Sequence, residues 1–89
     1  MRGSDRSDWL SYVTPAETSA WLQQRLSITG IGSISNLAGV TGINKGTLSK
    51  YFSHRQRPSI DVLMVLCRGL QVTPTEMLIA LGALDSDKA

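Results

Sequence analysis

The side chains able to do chemistry gather in one stretch of this chain. Lys45, Gly46, Thr47, Ser49, Lys50 and Ser53 run directly into Arg55 and Arg57. Their hydroxyl, ammonium and guanidinium groups donate hydrogen bonds to anions and to base edges, and none is a nucleophile set beside a base. From Thr18 through Ile60 there is no Asp or Glu, while Arg25, Lys45, Lys50, Arg55 and Arg57 all fall inside that stretch. The whole chain carries a net charge of only +2, so the acid-free block stands against an acidic remainder. A solvated face would intersperse acids with its lysines, whereas this block is the footprint of a surface that meets a polyanion. The chemistry implied is recognition. No paired carboxylates, nucleophile–base set or phosphate loop is found, which disfavours an enzyme. One histidine and one cysteine, His54 and Cys67, cannot cage a metal, and no cofactor is implied. His54 reads as a polar helix end, and Cys67 as a reduced thiol on a buried stripe.

The elements that must position these groups are short helices in a single small domain, since 89 residues bury one modest core. Residues 1–13 form an N-terminal arm. In it Arg2 and Arg6 are charged, and the apolar Trp9–Val13 segment can pack back as one helical turn. The domain proper spans 14–84, and 85–89 is a frayed tail. Thr14, Pro15 and Glu17 spell a capping box with proline at the first helical position, opening a helix with Trp21, Leu22 and Leu26 in its stripe. Gly30 and Gly32 end it. Ser33 caps a second helix holding Ile34, Leu37, Ala38 and Val40, and Asn44 caps a third over about 44–53 with Leu48 and Tyr51 inward. Ser59 caps a fourth with Ile60, Leu63, Leu66, Cys67 and Leu70 on the buried stripe. Thr73, Pro74 and Glu76 repeat the capping device for a fifth, which Gly82 terminates. Connections this short make an orthogonal bundle. The fold class is all-α with five helices, and the lack of an 18-residue apolar run leaves no membrane span. The location expected is cytoplasmic, on the nucleoid.

Helices two and three carry a further signal. Ala38 is small where one helix crosses another closely, Gly42 four residues later supplies positive φ for a tight turn, and Ile43 plugs the corner. Leu48 and Tyr51 anchor the third helix, leaving Lys45, Gly46, Ser49, Lys50 and Ser53 outward. This register resembles the lambda-repressor-like (XRE-type) helix-turn-helix family. The resemblance continues through Arg55–Ile60, similar to the family's basic loop before helix four, and through Gln71–Leu78, similar to its helix four-to-five junction. It covers residues 15–82.

What the resemblance implies is a double-stranded DNA-binding regulator, most plausibly a phage or bacterial repressor, with the third helix in the major groove. Lys45, Gly46, Ser49 and Lys50 then face base edges. Ser33, Ser35, Asn44, Thr47, Ser53, Arg55 and Arg57 face phosphates, one of the two arginines being able to enter a narrow minor groove. Two departures stand out. The family often opens its second helix with a phosphate-holding glutamine where this chain has Ile34, so Ser33, Ser35 or the helix amides take over that work. It often ends its recognition helix with an acid where this chain has Phe52, so an aromatic contact, with Trp21 as candidate, is expected there.

Met64, Val65 and Ile79 are apolar positions outside the main stripes of helices four and five, a patch that a lone small domain should not leave wet. The resemblance implies a homodimer that uses this end of the fold on paired half-sites about 10 base pairs apart. The rival is a monomer in which the Trp9–Val13 segment covers that patch. The competing function is a protein-interaction module on the same fold, antitoxin-like, which would have no need of the acid-free block.

Overall fold

The computed structural model describes residues 11–85, so Arg2, Arg6, Trp9, Leu10 and the 86–89 part of the tail lie outside the described residues. Five helices follow one another: α1 Pro15–Thr29, α2 Ile34–Thr41, α3 Lys45–Phe52, α4 Ile60–Leu70 and α5 Pro74–Ala80. There is no strand among the described residues.

Each helix begins where a side chain can satisfy the orphan amides of the first turn. Thr14 and Thr73 accept from the amides of Glu17 and Glu76, whose carboxylates reach back to the cap amides at 2.7 and 2.9 Å. Ser33, Asn44 and Ser59 cap α2, α3 and α4 in the same way. The ends differ more. Gly30 and Gly42 close α1 and α2 with positive φ, but Gln71 closes α4 in the left-handed region at φ 58° without being glycine. α5 turns by 100° from α4 across that junction. No single helix among the described residues is long and apolar enough to cross a membrane.

One apolar cluster joins all five helices, with Leu22 and Leu26 of α1, Leu37 of α2, Leu48, Tyr51 and Phe52 of α3, Leu66, Cys67 and Leu70 of α4, and Met77 of α5. Trp21, Ala38, Ile43 and Leu63 pack against its edges, half-buried. α2 and α4 approach closely at Gly69, where a Cβ would lie 3.1 Å from the Thr41 methyl.

Three expectations change. Ile60 is not on the buried stripe: it is 78% exposed at the first position of α4, ahead of the turn where that helix meets the core. Residues 11–13 are not a helical turn. They are irregular, and the Tyr12 amide donates to the Gly82 carbonyl at 3.0 Å while Ser11 and Val13 crowd over Gly82. Ile79 is half-buried, whereas Met64 is 41% exposed and Val65 half-buried. Of the three, Met64 alone is left open, and Val65 lines a hollow with Arg68 and with Val40 of α2, which is 63% exposed.

Candidate nucleic-acid interface

α2 and α3 are joined by Gly42, Ile43 and Asn44 alone, a three-residue turn. Gly42 has φ 75°, and its amide donates to the Ala38 carbonyl at 2.8 Å. A Cβ there would touch nothing within 4 Å, so it is the backbone conformation that asks for glycine, not a lack of room. The Asn44 carboxamide oxygen accepts from the amides of Gly46 and Thr47 at 2.8 and 3.3 Å, which starts α3 immediately after the turn. A Cβ on Gly46 would meet that oxygen at 3.0 Å, a local reason for glycine that the sequence reading lacked.

α3 is held by burying three of its eight residues, Leu48, Tyr51 and Phe52. The opposite face carries Lys45, Gly46, Ser49 and Lys50, all exposed, with Ser53 just beyond the last turn. Phe52 sits in the core and lines a hollow with Leu22 and Ile34, while Trp21, half-buried, packs against the same apolar cluster. After Phe52 the chain wraps back: the Arg55 amide donates to the Lys50 carbonyl at 2.9 Å, with His54 left-handed at φ 66°. That wrap sets exposed Arg55 beside the end of the helix that bears Lys50.

The five basic residues of the acid-free block do not act together. Arg25 donates from Nε and Nη2 to the Leu70 carbonyl at 3.3 and 3.0 Å, and from Nη2 to the Gln71 carbonyl at 3.1 Å. It therefore finishes α4, where the last carbonyls lack helical partners. Arg57, half-buried, donates to the Leu81 carbonyl at 2.9 Å, past the end of α5, and burial pulls its pKa down. Lys45, Lys50 and Arg55 are the three exposed on the α3 side.

The other residues picked from the sequence are placed less uniformly. Ser35 is exposed in the first turn of α2. Ser33 is half-buried, its oxygen accepting from the Asn36 amide. Thr47 is half-buried on the flank of α3.

A residue that the sequence did not single out holds the frame behind this face. Thr18 is fully buried, and its hydroxyl donates to the Ala80 carbonyl at 2.7 Å. With its one proton used, it accepts from His54 Nε2, also 2.7 Å away, so the neutral ring carries its proton on Nε2. Burial, and then the charge of Arg57, lower the His54 pKa. The end of α3, the start of α1 and the end of α5 are thus fastened through one hydroxyl. Among the described residues no group of acids, His and Cys could hold a metal ion.

A family model described as the Cro/C1-type HTH DNA-binding domain matches residues 22–80, which takes in α2, the turn, α3, α4 and α5. No curated protein and no solved structure matches the chain.

Proposed function

This chain belongs to the Cro/C1-type HTH DNA-binding domain family, and from that premise we propose that it is a sequence-specific regulator of transcription, a repressor of phage or bacterial type, that inserts α3 into the major groove. The observation that carries this reading is the outward face of α3. It presents two lysines and small polar residues without an acid, on a helix anchored by three buried side chains.

An α-helix is about 10–12 Å across with its side chains, and the major groove about 12 Å wide, so only such a face reaches base edges. In this reading Lys50 and Ser49 meet bases, Lys45 meets a base or the flanking phosphate, and Gly46 lets the backbone come close. Ser33, Ser35, Asn44, Thr47, Ser53 and Arg55 serve phosphates. The Ser33 and Asn44 oxygens already hold helix caps, so those side chains offer only their remaining protons. Arg57 donates from Nη1 to Leu81, so only its remaining guanidinium donors would serve a phosphate.

Selecting bound duplexes from a random pool tests the proposal and returns the number of half-sites. On the selected site Lys50→Ala should cost roughly 1–3 kcal/mol and relax preference at one base pair. Equal losses on selected and random duplex would move Lys50 to a phosphate. A pool that yields no enriched sequence would overturn sequence-specific recognition and leave a partner-binding module without strong DNA specificity.

A further inference from the structure

Beside α3 the surface falls into a hollow of about 480 Å³ between α1, α2 and α3. Its floor is apolar, from Leu22, Ile34 and Phe52. Its rim is polar: Ser49 and Ser53 on the α3 side, Ser19 and Gln23 on the α1 side. Ser49 and Ser53 also belong to the outward face of α3, so the hollow opens in the direction in which that helix would meet DNA. Ser19 and Gln23 are four apart on one helix and both exposed, which stacks them along the far wall about 6 Å apart in rise. Neither side chain, nor that of Ser49, makes a hydrogen bond to another described residue, and Ser53 reaches only the Lys50 carbonyl, at 3.4 Å. No acid lines the hollow, and the nearby Glu17 carboxylate is held on the Thr14 amide.

A helix that fills the major groove leaves sugar–phosphate strands rising directly along both of its flanks. On the α1 side, the strand bordering α3 would run over this hollow. The groups waiting for it are neutral donors, an amide and hydroxyls, above a floor with no polar group of its own. We propose, resting on the reading of α3 as the recognition helix, that Gln23 and Ser19 form an uncharged phosphate clamp for that strand. Neutral donors position the duplex without displacing a counterion, so this contact contributes affinity and orientation but no salt dependence.

The experiment uses the full chain and the selected duplex, with affinity measured over a series of salt concentrations. Ser19→Ala/Gln23→Ala should weaken selected and random duplex alike, roughly five- to thirtyfold for two neutral hydrogen bonds, and leave the slope of log affinity against log salt unchanged. Gln23→Lys should bind more tightly and steepen that slope by about 0.9. Gln24→Lys, exposed one residue further on and outside the hollow, should leave the slope near wild type. All three changes are on an exposed helix face, and thermal melts would confirm that each variant folds. A double variant that binds like wild type, or a Gln23→Lys slope no steeper than that of Gln24→Lys, overturns the clamp while DNA binding by α3 stands. Failure of the wild-type chain to bind any duplex overturns both.

Discussion

Lys45 occupies the first helical position of α3, at the positive end of the helix dipole, where no acid of the first turn offsets it. A lysine is the wrong residue for stability at that place, and a protein that keeps one there points to a use for it. Lys45→Glu should stabilise the fold by about 0.3–1 kcal/mol in urea melts while binding to the selected duplex falls sharply. A variant less stable than wild type would show that Lys45 supports the fold. Gly42 offers a second residue-level test. Because its surroundings are open and only its φ is demanding, Gly42→Asn should cost little, whereas Gly42→Val should lose at least about 1–2 kcal/mol. Equal losses in thermal melting would mean that space at the turn, not backbone conformation, is limiting.

Between elements, arginines replace what the helix ends lack. Arg25 closes α4 from α1, and Arg57 reaches the end of α5 from the loop after α3. Both lie within a block that charge counting alone assigns to a polyanion. Their substitution separates two meanings of positive charge. Arg25→Met and Arg57→Met should each destabilise the fold by roughly 1.5–3 kcal/mol, the range for hydrogen bonds from a charged donor, with little change in salt slope. Arg55→Ala, on an exposed side chain, should leave the melting temperature nearly unchanged and flatten the slope by about 0.9. A flattened slope for Arg57→Met would show that its remaining donors meet a phosphate as well.

At the scale of the whole molecule, the Thr18 hydroxyl ties α1, α5 and the end of α3 together, and His54, held there through Nε2, makes the stability of the fold sensitive to pH through its other ring nitrogen. The folded ring holds its proton less readily than the ordinary value of 6.5 implies, because of burial and then Arg57. Below that pH the unfolded chain therefore binds more protons than the folded one, and stability falls as pH drops from about 6.5 toward the lowered value. The Glu76 carboxylate, lowered by its bonds to Thr73, adds a loss only below its ordinary 4.5. Urea melts from pH 8 to 5 should show the first loss in wild type and not in His54→Asn, which tolerates the left-handed backbone. Identical profiles would remove His54 as the cause. Assembly belongs to this scale too. If copies pair through helices four and five, exposed Met64 is the residue available for it, and half-buried Ile79 is mostly occupied at home. Met64→Lys should weaken self-association in sedimentation, whereas Ile79→Lys should chiefly lower the melting temperature; a chain monomeric at every concentration, free and on DNA, would remove the dimer.

What the residues alone determined was local. Caps at Thr14, Ser33, Asn44, Ser59 and Thr73 act over three or four positions, and the glycine turn over fewer, so helix starts and the α2–α3 unit were legible directly. The outward face of α3 was legible too, because burying Leu48 and Tyr51 on one side leaves Lys45, Ser49 and Lys50 on the other. Tertiary structure decided everything that depends on what stands opposite a side chain. Periodicity could not tell that α4 meets the core only after Ile60, that residues 11–13 would lie irregularly on Gly82, or that a buried threonine would bind both a carbonyl and a histidine. Nor could it say where a charge would end. Arg25 and Lys50 look alike in a charge count, but long side chains go where unpaired carbonyls or solvent await them, and those carbonyls come from residues 45 positions away in the chain.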